Sequence, residues 1–140
     1  MRYFDTSALI PYYRPEPLSD KVQSLLTASE SPVLISVLTE TEFASVLARL
    51  VRMKELPEAN ASLIQAAFQE DIHRGCYRTL DLHREHYHLA RDWLLSRDTS
   101  LRTLDALHLS LAALTGAELV TADRIMAQAA DRFSIPVLQL

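Results

Sequence analysis

Arg2-Tyr3-Phe4-Asp5-Thr6-Ser7-Ala8-Leu9 decides the fold class: an apolar strand pattern runs into a carboxylate and two hydroxyls, and a helical pattern follows. A strand giving way to a helix is the unit of α/β proteins, and its carboxyl end is where they build active sites. Three further acids stand in comparable settings. Glu42 lies in Ser36-Val37-Leu38-Thr39-Glu40-Thr41-Glu42-Phe43, Asp105 in Leu104-Asp105-Ala106-Leu107-His108-Leu109, and Asp123 in Leu119-Val120-Thr121-Ala122-Asp123-Arg124.

Working outward from Asp5, the chain alternates strand and helix signals. Arg2 to Phe4 reads as a strand, and Thr6 to Tyr12 as a first helical turn until Pro11 and Pro15 interrupt it. Leu18, Val22, Leu25 and Leu26 have helical spacing, and Val33-Leu34-Ile35 is a second strand, short and rich in β-branched residues. Ser36 or Thr39 can cap the helix that carries Glu42, Phe43, Val46, Leu47 and Leu50. Pro57 and Glu58 open another helix, stopped at Gly75, and Cys76 to Leu80 is strand three. The spacing then predicts helices from His83 to Leu95 and from Thr103 to Leu114, the second ended by Gly116. Glu118 to Thr121 is strand four, Asp123 to Ala130 the last helix, and Pro136 to Gln139 an edge strand. This alternation predicts a mostly parallel sheet covered by helices on both faces, joined by right-handed crossovers. All four acids then fall near the carboxyl edge.

With 140 residues, 49% hydrophobic and 23% charged, the chain fits one globular domain spanning residues 1–140. There is no repeat, low-complexity tract or linker. The lone Cys76 excludes an intramolecular disulfide, and neither a signal-peptide pattern nor a membrane-length apolar run is present, so a soluble cytoplasmic protein is expected. A formal charge of −4 argues against nucleic-acid binding. That argument weakens if four acids belong to one metal site, since bound ions cancel much of the deficit. All but two of the 14 basic residues are Arg, the better bidentate phosphate ligand.

Asp5 and Asp123 taken singly read as helix caps, and Asp105 as a first-turn acid favoured by the helix dipole. Four in comparable settings read as a cluster. Glu42 carries most weight, because carboxylates are seldom placed on an apolar helix face unless paired or metal-bound. Mg²⁺ and Mn²⁺ prefer hard oxygen ligands, so three or four converging acids suit one or two such ions. The chemistry then available is in-line attack of a metal-activated water on a phosphodiester. Thr6, Ser7 and Thr121 lie within two residues of the acids and can orient water or phosphate, or cap backbone.

These segments, in this order and over almost the whole chain, resemble the PIN-domain ribonucleases, and among them the VapC-type toxins of toxin-antitoxin pairs. The resemblance implies a three-layer α/β/α sandwich with about five strands. It also implies a Mg²⁺- or Mn²⁺-dependent endoribonuclease with Asp5, Glu42, Asp105 and Asp123 as its acidic cluster. Its partners would be an RNA substrate, a cognate VapB-like antitoxin and a second copy of the chain. Glu42 rather than Glu40 matches the family spacing after Ser36 and Thr39, leaving Glu40 solvated.

Other residues read more plainly. His83, His86 and His88 lack the Cys or acidic partners of a zinc site and read as a solvated helix face. His108, three residues after Asp105, is within reach of the site but reads as a satisfied, partly buried histidine. Arg14, Arg102 and Arg124 are candidates for RNA phosphate contacts, or for ordinary ion pairs with the acids. Tyr12 and Tyr13 can stack bases, whereas Trp93 suits core packing or a subunit contact. Two other functions compete: an inactive PIN-like binding module, and a receiver-like phosphoacceptor. The latter expects a second acid two residues after the first and a strand-end Lys, but Ser7 occupies that position and neither Lys21 nor Lys54 follows a late strand.

Overall fold

The computed structural model describes residues 1–140. In order the elements are β1 (Arg2–Phe4), α1 (Thr6–Tyr13), α2 (Ser19–Thr27), β2 (Val33–Ser36), α3 (Val37–Arg52) and α4 (Glu58–His73). They continue with β3 (Tyr77–Leu80), α5 (Arg84–Ser96), α6 (Thr103–Thr115), β4 (Glu118–Thr121), α7 (Arg124–Arg132) and β5 (Val137–Gln139). The strands form one sheet in the order β3-β2-β1-β4-β5, and every pairing is parallel, where the sequence indicated only a mostly parallel sheet. No helix is long and apolar enough to cross a membrane.

Successive strand residues point to opposite faces, and the core divides accordingly. Tyr3, Leu34 and Leu119 pack with Ala90, Leu109 and Met126 of α5, α6 and α7. Phe4, Val33, Ile35 and Val120 pack on the other face with Leu9, Val22, Phe43 and Phe68 of α1 to α4. Phe43 and Phe68 stack with ring centroids 4.2 Å apart; truncating either to Ala would cost about 3–5 kcal/mol. The result is a three-layer α/β/α sandwich.

One boundary departs from the sequence reading in kind. Pro11 lies buried inside α1 rather than interrupting it. A proline there removes only its own N–H, and the helix ends soon after at Tyr13, with Arg14 extended. Elsewhere the ends shift by a residue or two, as with Asp123, which caps α7 instead of opening it.

Strand order positions the site. From β1 the chain moves outward to β2 and β3, then returns across β1 to β4 and β5. Where the direction of travel reverses, between β1 and β4, a crevice opens at the carboxyl ends of the strands. Asp5 sits at that edge with its N–H donating to the Val120 carbonyl at 3.2 Å.

Candidate functional site

Each acid reaches this edge by a local device. Asp5 leaves β1 in extended backbone and caps α1, accepting from the Ala8 N–H at 2.9 Å. Ser36, the last residue of β2, caps α3 directly: its hydroxyl accepts from the Thr39 N–H at 3.2 Å, and the Thr39 hydroxyl accepts from the Ser36 N–H at 3.3 Å. Glu42 therefore rides on the second turn of a helix that starts without a loop. Asp105, in the first turn of α6, accepts from the Arg102 N–H at 3.2 Å. Asp123 Oδ1 accepts from Ile125 and Met126 N–H groups at 2.7 and 3.0 Å. The helix-cap roles expected of Asp5 and Asp123 singly are thus real, and they coexist with a shared site.

All four acids line one cavity of about 360 Å³, with Thr6, Ser7 and His108 among them and Arg14 and Arg49 on the same wall. Asp5 is the most enclosed, only 2% exposed. The Ser7 hydroxyl donates to both its oxygens, at 2.8 and 2.9 Å, and the Thr121 hydroxyl to Oδ2 at 2.7 Å. Burial nevertheless holds the Asp5 carboxyl above the usual carboxylate range, against the pull of His108 and those donors. Burial pushes Glu42 up as well, but there the hydrogen bond and charge of His108 and the Thr6 hydroxyl, at 2.6 Å, win, and Glu42 sits below its ordinary value. Asp105 is raised by burial and by the charges of Asp123 and Glu42.

The chain is matched over residues 2–132 by the family model of the PIN domain. It belongs to the PIN domain family. Solved structures agree in fold. FitAcB from Neisseria gonorrhoeae superposes with a TM-score of 0.77 at 19% identity, over 99% of this chain and 97% of that one. Mycobacterium tuberculosis VapC20, described as a sarcin-ricin loop cleaving toxin, gives 0.73 at 16% identity, over 92% and 95%. VapBC2 from Rickettsia felis, solved with a DNA fragment from its promoter, gives 0.67 at 16% identity, over 99% and 98%. A comparison with curated protein sequences finds no match.

In this PIN domain Asp5, Glu42, Asp105, Asp123, Thr6 and Ser7 meet at the cavity as the motifs suggest, but Thr121 does not line it. Thr121 is fully buried behind Asp5, donating to that carboxylate and accepting from the Asp123 N–H at 2.9 Å. Each of the three hydroxyls donates to a carboxylate, Thr6 to Glu42 and Ser7 and Thr121 to Asp5. No three of the acids or histidines are arranged, as they stand, to hold one ion.

Of the arginines singled out, only Arg14 lines the cavity, paired with Glu16 at 3.2 Å. Arg102 and Arg124 are exposed and do not line the cavity, and the ion pairs with the acids that were the alternative for them do not form. Arg49 was missed, although it follows Glu42 by two helical turns and so shares its face. Tyr3 was missed too; its signal was its place two residues before Asp5, on the same strand face. No Tyr, Phe or Trp lines the cavity. Tyr13 is tied to Asp71, Tyr12 lines a different cleft, and Trp93 stacks on Phe133 against the core. His86 is buried and accepts from the His83 N–H at 2.9 Å, so the solvated face expected of the histidines holds for His83 and His88 but not for His86.

Proposed function

We propose that this PIN domain, residues 1–140, is the endoribonuclease toxin of a toxin-antitoxin pair, hydrolysing RNA phosphodiesters with Mg²⁺ or Mn²⁺ and silenced by a cognate VapB-like antitoxin. The observation that carries this reading is the gathering of Asp5, Glu42, Asp105 and Asp123, from four separate segments, on one cavity beside Arg14 and Arg49. The RNA-cleaving description of VapC20 and the toxin-antitoxin complex from Klebsiella pneumoniae, which shares the fold, support its direction. A homodimer in the cytoplasm belongs to the same proposal.

The donor set fits the cation chemically. Glu42, Asp105 and Asp123 each engage one carboxylate oxygen in hydrogen bonds, leaving Oε1, Oδ1 and Oδ2 respectively unengaged. All are hard oxygens, the kind Mg²⁺ and Mn²⁺ favour. Bound there, the cation would lower the pKa of a water and steady the leaving oxygen. Ser7 and Thr121 fix the orientation of Asp5, and Thr6 fixes that of Glu42. Arg14 and Arg49 offer charge-assisted hydrogen bonds to the RNA phosphates beside the scissile one. Neither lysine lines the cavity, which is what a receiver-like phosphoacceptor would need.

Asp5→Asn keeps an acceptor for Ala8 and removes the charge. RNA cleavage at low Mn²⁺ is expected to fall by roughly 100-fold or more, with the circular dichroism unchanged. Near-normal cleavage by a well-folded variant would overturn the mechanism.

A further inference from the structure

One buried ring in the cavity has no part in the chemistry above. His108 is 1% exposed, one turn beyond Asp105 on α6, and both its nitrogens are engaged. Nε2 lies 2.5 Å from Glu42 Oε2, and Nδ1 lies 2.6 Å from the Tyr3 hydroxyl. Tyr3 is itself fully buried, its hydroxyl 2.9 Å from that of Ser36. Ser36 caps α3, and Glu42 lies six residues on in the same helix. The chain of contacts Ser36, Tyr3, His108, Glu42 thus leaves α3 at its cap, crosses β1 and α6, and returns to α3 at its acid. An ionised Glu42 only accepts, so Nε2 donates to it, while Nδ1 shares a hydrogen bond with the Tyr3 hydroxyl, which in turn bonds Ser36.

A glutamate on an open cavity wall has three rotatable bonds and samples several rotamers. Here two donors, His108 and Thr6, converge on one of its oxygens and leave the other without a partner. We infer that His108 is a positioning residue for Glu42: braced by Tyr3, it pins Oε2 so that Oε1 is presented to the divalent cation, an inference that rests on the proposed ribonuclease reading. The plainer alternative is a buried histidine that serves packing and satisfies Tyr3.

The readout that separates the two is Mn²⁺ affinity, measured calorimetrically on the protein without RNA. His108→Leu should weaken Mn²⁺ binding by about tenfold or more, the usual scale for removing the partner of a metal-ligating group. His108→Gln, which offers an amide donor near the place of Nε2, should restore part of that loss. Tyr3→Phe keeps the ring and removes one hydroxyl, and should weaken binding less, in the same direction. In a Glu42→Gln background His108→Leu should cost no further affinity, because the carboxylate through which it acts is gone. In cleavage assays at sub-saturating Mn²⁺, kcat should fall while the KM for RNA holds. If the variants lose melting temperature but keep Mn²⁺ affinity, the role is structural and the inference is overturned. Should His108→Leu fail to fold, unchanged affinity in both Tyr3→Phe and His108→Gln overturns it equally. A wild-type protein that binds no Mn²⁺ overturns the proposed function and this inference with it. One that binds Mn²⁺ through Asp5, yet ignores His108, overturns the inference alone.

Discussion

Asp105 bears the electrostatic cost of the cluster. Its carboxyl is raised by burial and by Asp123 and Glu42, so its ionised form at neutral pH opposes folding. A carboxyl raised in the folded state binds more protons there than in the unfolded chain. Its penalty is therefore absent at acid pH, grows as pH rises toward the raised folded value, and stays constant above it. Asp105→Asn keeps an acceptor for the Arg102 N–H and removes the charge. In EDTA at neutral pH the variant should melt a few degrees higher, the shift that about 1 kcal/mol makes in a chain of this size. The advantage should fade on acidification. Mn²⁺ should raise the wild-type melting temperature more than that of the variant, since stabilisation requires affinity for the native state. An equal Mn²⁺ shift in thermal scans of both proteins would remove Asp105 from the proposed metal set.

Among the elements, α1, α4 and β3 are tied by a small polar knot below the cavity. The Tyr13 hydroxyl of α1 donates to Asp71 of α4 at 2.6 Å, and the Tyr77 hydroxyl of β3 is 2.8 Å away and donates to Tyr13. Burial pushes both phenols well above their ordinary value of 10. For groups raised in this way the stabilisation is complete below pH 10 and is lost as pH climbs beyond it. Tyrosinate absorbance from Tyr13 and Tyr77 should therefore emerge only with loss of the far-ultraviolet circular dichroism, in one transition. Smooth ionisation ahead of unfolding would show the knot to be open to water. Tyr13→Phe strands Asp71 and Tyr77, and urea unfolding at neutral pH should register a loss of about 1–3 kcal/mol.

For the whole molecule, a net charge of −4 gives RNA little long-range attraction, so capture rests on local groups. Arg14 is shared with Glu16, whereas Arg49 pairs with no acid and lies on the Glu42 face of α3. With both touching phosphate, the logarithm of RNA affinity should fall against the logarithm of salt with a slope of roughly −1.4, about 0.7 per contact on a single strand. Arg49→Ala should flatten that slope by about 0.7 and weaken different RNA sequences alike, leaving Mn²⁺ affinity intact. An unchanged slope in a salt titration with inactive Asp5→Asn protein as the background would exclude Arg49 from the RNA path.

Local spacing carries information about what lies within a turn or along a strand, and that much of this protein was legible in advance. Glu118–Thr121 reads as β4 to the residue, and Gly116, at φ +67°, marks the end of α6, where the left-handed backbone favours glycine. The four acids announce themselves because each stands at a strand end or in an early helical turn. Pairing across the chain is another matter. Whether Thr121 faces the cavity or stands behind Asp5, whether Arg102 or Arg49 reaches the site, and the order β3-β2-β1-β4-β5 all depend on which surfaces pack. Tyr3 meets Ser36 across 33 residues, His108 across 105, and His108 meets Glu42 across 66. Such contacts leave no periodic trace in the sequence, because packing of the sheet faces, and not local spacing, brings their partners together.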